Sequence, residues 1–101
     1  MNAMTFSTVS DLLKRRLRYI LRDYNIHKIV INESLDSITC IADKTVDVYA
    51  FKTLLSRTLC DVEWLNIHVL KAGSYAADMV RGLIIYTKEG GFCEYDPRFR
   101  E

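Results

Sequence analysis

Proline appears once, at Pro97, and glycine only four times, in a chain of 101 residues that is 50% hydrophobic. That scarcity excludes a disordered or linker-like polymer and argues for a packed core. Nor is there an excess of one charge. Fourteen Lys plus Arg stand against thirteen Asp plus Glu, so the net charge of +1 predicts no polyanionic partner, and any basic surface must be local. No apolar run approaches the roughly 18 residues of a membrane span, and Met1 to Asp11 lacks the regions of a signal peptide, so the expected address is the cytoplasm. The three cysteines, Cys40, Cys60 and Cys93, form no C-x-x-C pair and have neither His27 nor His68 near them in sequence. A zinc site is therefore not expected; they read as reduced thiols, with Cys40 and Cys60 as buried fillers.

What is present is a clear succession of periodic segments. Ser7 or Ser10 can cap a first helix whose apolar residues, Val9, Leu12, Leu13, Leu17, Ile20, Leu21 and Tyr24, recur every three or four positions. Its polar side carries Lys14, Arg18 and Arg22 in one row at four-residue spacing. Such a row could touch phosphates, but without aromatic stacking platforms or a known module, nucleic acid is not the expected partner. Asn25 stops the helix, Ile26 to Ile31 is a first strand, Asn32-Glu33-Ser34 a turn, and Ser37 to Ala42 a second strand. The two strands are close enough for a hairpin, although a loop holding them apart also fits. Asp43-Lys44-Thr45 offers caps for a second helix with Val48, Phe51, Leu55 and Leu59 on its apolar side and Asp47 in its first turn.

From Val62 to Leu70 an apolar and aromatic run, including Trp64, predicts a buried strand ended by Lys71-Ala72-Gly73-Ser74. Ser74 then caps a third helix with Ala76, Met79, Val80 and Leu83 at helical spacing, Asp78 near its start and Gly82 as its stop; Leu83 to Tyr86 is a further strand. Lys88 to Gly91 is a turn, Phe92 to Tyr95 an edge strand before Pro97, and Asp96 to Glu101 a charged tail. The expectation is one α+β domain spanning residues 1–101, in the order helix, strand, strand, helix, strand, helix, strand, with a mixed sheet covered by helices.

Three features together resemble the minimal nucleotidyltransferases, small relatives of polymerase β that occur beside toxins in bacteria and archaea. They are the opening helix and strand from Leu12 to Ile31, the helix and strand from Phe51 to Leu70 with Glu63 in V-E-W-L, and the closing A-G-S-Y-A-A-D-M-V-R-G-L-I-I-Y. The resemblance implies a Gly-Ser turn and an Asp-x-Asp pair which, with a third carboxylate matching Glu63, hold two Mg²⁺ for transfer of a nucleotidyl group. In this sequence the turn is Asn32-Glu33-Ser34, and the pair falls on Asp36-Ser37-Ile38, leaving one carboxylate. Asp36 and Glu63 are thus the candidate metal ligands, a remnant able to hold one Mg²⁺ at best. What the resemblance then implies is a pseudoenzyme that binds another protein, in the manner of an antitoxin. Tyr75, Asp78 and Arg81 on the third helix, with Arg18 and Arg22 on the first, are the candidate contact surface.

Two other readings remain open. The opening helix-strand-strand-helix-strand order also resembles αββαβ modules that assemble into rings through sheet edges. An active nucleotide-binding enzyme with a reduced metal site is the other. Only two histidines are present, and no Ser, Cys or Asp stands at a spacing that suggests a nucleophile and its base. The six tyrosines favour a binding surface, and a homodimer is compatible with it.

Overall fold

A computed structural model describes residues 6–92 of the chain. The fold is α+β. Its elements are α1 (Phe6–Leu17), α2 (Ile20–Asp23), β1 (Ile26–Ile31), β2 (Ser37–Ala42), α3 (Val48–Thr58), β3 (Asn66–Lys71), α4 (Tyr75–Asp78), β4 (Leu83–Thr87) and β5 (Gly91–Phe92). The strands form one mixed sheet in the order β3-β2-β1-β4-β5. β1 and β2 are a direct antiparallel hairpin, with Ile31 opposite Ile38, and β4 lies antiparallel on the other side of β1. α3 carries the chain from β2 back to β3, which runs parallel to β2 in an unbroken register from Ser37↔Asn66 to Ala42↔Lys71.

Alternation along the strands divides the sheet into two faces. Ile29, Ile31, Ile38, Cys40, Ala42 and Ile85 join Val9, Leu13, Leu17 and Ile20 of the first helices, Phe51 and Leu55 of α3 and its C-cap Leu59 in the principal core. Phe51 is fully buried and its ring meets Tyr24 at 5.0 Å. On the opposite face Val30 and Ile41 are buried outside that core, under the segment that contains α4.

Several local features depart from the sequence expectation. The first helix already runs at Phe6, so neither Ser7 nor Ser10 is its cap, and it is broken at Arg18-Tyr19 into α1 and α2. Leu17 and Ile20, on either side of the break, are both in the core. The cap of α3 is Asp47 rather than residues 43–45: its carboxylate accepts from the N–H groups of Tyr49 and Ala50. Val62 to Leu65 is not strand. Leu65 N–H donates to the Val62 carbonyl and Val62 N–H to that of Leu59, and these successive turns bury Val62 and Leu65 while Trp64 is left 42% exposed. Cys60, expected inside, is exposed on the same loop. The third helix lasts only from Tyr75 to Asp78, so Met79 and Val80 leave it, and Gly82 serves a close approach to β1 rather than a helix stop. β5 occupies Gly91–Phe92; the expected strand residues Cys93 to Tyr95 and the tail lie outside the described residues. Among the described residues no helix is long and apolar enough to cross a membrane.

Candidate functional site

The β1–β2 turn is built by Asn32. Its Oδ1 accepts from the N–H groups of Asp36 and Ser37 at 3.0 and 2.9 Å, and its Nδ2 donates to Asp36 Oδ1 at 2.6 Å. Leu35 takes φ 63 within this turn and is buried, so its side chain anchors the loop on the core. The carbonyl of Asp36 in turn accepts from the backbone and side-chain N–H groups of Asn66. Because β2 and β3 are parallel, the loops that enter them put Asp36 and Glu63 at the same end of the sheet. The Asp36 carboxylate is already engaged by Asn32, and Glu63 is exposed in the turn beside Trp64 rather than on a strand. Among the described residues no three His, Cys, Asp or Glu side chains gather as a metal site. The donors present do not match a centre for two Mg²⁺.

Three of the five expected contact residues come together on the sheet face opposite the helices. Ser74 starts α4 by accepting from Ala77 N–H while its hydroxyl donates to the Lys71 carbonyl, and Gly73 supplies the preceding turn at φ 85. Ala77 is the buried contact of this helix. Tyr75 and Met79 point away and are 79% and 49% exposed. Asp78 and Arg81 line a cleft of about 410 Å³ with His27, Lys28, Ile41 and Val80. A second cleft, of about 340 Å³, shares His27 and Lys28 and adds Lys88 and Glu89. Arg81, Lys28 and Lys88 make no ion pair among the described residues. The walls mix both signs of charge, so the clefts form a polar surface rather than an anion trap.

Arg18 and Arg22 lie elsewhere, at the α1–α2 junction on the helix layer. The helix break interrupts their row with Lys14; Arg22 stacks over the exposed Tyr19 ring, 5.1 Å from its centroid. The arginine that links elements is Arg16, which donates to both carboxylate oxygens of Asp61 at 2.6 Å and ties α1 to the loop after α3. That fork holds the Asp61 carboxyl below its ordinary pKa and raises Arg16.

His27 and Asp43 form a pair that sequence reading missed. His27 Nε2 lies 2.9 Å from Asp43 Oδ1, and Asp43 Oδ2 accepts from both the hydroxyl and the N–H of Thr45. The Thr45 hydroxyl, then its N–H, then His27 bring the Asp43 pKa from its ordinary 3.8 down to about 2. No local signal marked the pair: β1 and β2 are antiparallel, Asp43 N–H donates to the Asn25 carbonyl, and His27 is the residue at the register shift between Ile26 and Lys28. No serine, cysteine or threonine hydroxyl or thiol among the cleft-lining residues completes a nucleophilic arrangement with this pair. Burial pushes the Cys40 thiol up to about 12, so it is an inert part of the core. Comparison with protein-family models, with curated proteins and with solved structures gives no match.

Proposed function

We propose that the chain works by binding another protein, on a nucleotidyltransferase-like scaffold that carries out no transfer of its own. The observation that supports this reading is the exposure of Tyr75 and Met79, four residues apart, on the segment that also bears Asp78 and Arg81. Tyr, Met and Arg are enriched at protein interfaces, and here the exposed tyrosine and methionine share a segment with Arg81, which lines a cleft with charged walls. The donor set supports the absence of transfer chemistry, because Asp36 and Glu63 stand on separate turns and no third carboxylate among the described residues joins them. The partner implied by the resemblance is a toxin-like protein. The likeness rests on the sequence features alone.

The test is site-directed photo-crosslinking in the cells that make the chain. A photoreactive residue at position 79 is expected to give one adduct of defined mass, containing a second protein. The same residue at position 49, where Tyr49 is 81% exposed on α3 beside a smaller cleft of about 240 Å³ with Lys52, Thr53 and Ser56, is expected to give none. Equal adducts from both positions, or an adduct made only of two copies of this chain, would overturn the reading.

A further inference from the structure

Among the described residues β3 is the long free edge of the sheet, and its polar backbone groups are presented in a self-complementary way. Asn66 N–H donates to the Asp36 carbonyl and Ala72 N–H to that of Ala42, so the two-residue period turns the N–H groups of residues 66, 68, 70 and 72 toward β2. Those of Ile67, Val69 and Lys71 therefore point away from the sheet, as do the carbonyls of Ile67 and Val69. The carbonyl of Lys71 is taken by Ser74. Proteins protect such an edge with bulges, proline, very short strands or charged side chains, and the one lysine of β3, Lys71, stands at its very end. β3 has six residues, no proline and no register shift, whereas both pairings of β1 contain a shift.

The groups flanking this edge indicate what covers it. Glu63 and Trp64 stand exposed at its start, and Lys71 is exposed at its end. Tryptophan is seldom left so open. Parallel apposition with a second copy would set Lys71 against Lys71 and Glu63 against Glu63. Antiparallel apposition brings Glu63 and Lys71 of different copies to the same end, twice, and sets each Trp64 beside the other copy's turn at residues 72–74.

We propose that the chain forms a homodimer in which β3 pairs antiparallel with β3 of a second copy, about a twofold axis at Val69. The two Val69 residues exchange N–H to carbonyl bonds, and each Lys71 N–H donates to the partner's Ile67 carbonyl. This makes four main-chain bonds without disturbing the Ser74 turn. His68 lies across from the partner's Leu70 and Lys71 from the partner's Ile67, so no like charges are directly opposed. Two five-stranded sheets become one continuous sheet. The face bearing Met79 and Arg81 is not consumed, so this assembly is separate from the protein-binding role proposed above.

Sedimentation of the full chain tests it. The expected species has twice the 11.7 kDa of the monomer. Val69→Pro removes only an outward N–H, which an edge strand tolerates, and is expected to give a folded monomer with unchanged circular dichroism. Amide exchange supplies a readout without substitution: the N–H groups of Val69 and Lys71 should be protected at high concentration and lose protection on dilution, while those of His68 and Leu70 stay protected throughout. A monomer at hundreds of micromolar, a folded Val69→Pro dimer, oligomers that keep growing with concentration, or concentration-independent exchange at Val69 and Lys71 would each overturn the proposal.

Discussion

Gly82 lies against Ile31 so closely that a Cβ at position 82 would stand 2.5 Å from the Ile31 carbonyl oxygen, and 2.8 Å from Val30 Cγ1. Its φ of 143 is also one that side-chain-bearing residues rarely adopt. The contact is how the segment after α4 seats on the second face of the sheet. Gly82→Ala is expected to cost roughly 1–3 kcal/mol, a fall of some ~10 °C in the unfolding midpoint. Gly73→Ala supplies the comparison. At φ 85 with no atom within 4 Å, it meets a conformational penalty and no clash, so its loss should be about 1 kcal/mol. Equal losses at the two sites would remove the steric part of this account.

Phe51 and Trp64 separate what burial does from what composition suggests. Phe51 is fully enclosed between the sheet and α3, and Phe51→Ala should destabilise by about 3–5 kcal/mol. Trp64, the larger side chain, is 42% exposed in a turn; Trp64→Ala, measured in denaturant at a dilution that keeps the chain monomeric, should cost under about 1 kcal/mol. A loss at Trp64 as large as that at Phe51 would mean that the loop between α3 and β3 packs inward.

The same pair shows where the sequence was legible. The α3 periodicity of Val48, Phe51, Leu55 and Leu59 named three buried residues and one half-buried one, because helix amphipathicity depends only on spacing. The hairpin and the Ser74 cap were equally local. V-E-W-L reads as strand by propensity, yet tertiary context prevailed: turns closed by Val62 and Leu65 bury those two and turn the tryptophan out. The pairing of β2 with β3 spans some thirty residues and leaves no local mark, so the sheet order, the free edge and the face reached by α4 could not be read from spacing. Of the expected contact residues, Tyr75, Asp78 and Arg81 were found together because they share one short segment, while Arg18 and Arg22 depended on an unbroken helix.

Acid should weaken the fold partly through Asp43. Its folded pKa, about 2, is below the ordinary 3.8, held there first by the Thr45 hydroxyl and then by the Thr45 N–H and His27. A depressed carboxylate contributes stability above its unfolded pKa and loses it as pH falls through the folded one, so the loss falls between about pH 4 and about pH 2. Asp61, lowered by Arg16, adds a loss of the same sign on the acid side. Asp43→Asn should be less stable than wild type at pH 6, and the gap should narrow by pH 2 to 3, as followed by urea denaturation at each pH. A gap that stays constant across that range would show that Asp43 acts without its charge.

Asp36 is where binding of Mg²⁺ and nucleotide can be tested. Its Oδ1 receives the Asn32 amide at 2.6 Å, and a metal ion on the remaining lone pairs would rely on Glu63, an exposed turn residue, for its second carboxylate. Two unaligned ligands make weak sites for Mg²⁺, which demands near-octahedral geometry and gives up its waters reluctantly. The unfolding midpoint should therefore not move when millimolar Mg²⁺ and each nucleoside triphosphate are added. A ligand present at about 100 times its Kd would add roughly 2.7 kcal/mol and shift the midpoint by several degrees, well within detection. Asp36→Ala with Glu63→Ala serves as the control. A rise in wild type that this double variant abolishes would show a working metal-nucleotide site and overturn the proposal of a scaffold without transfer chemistry.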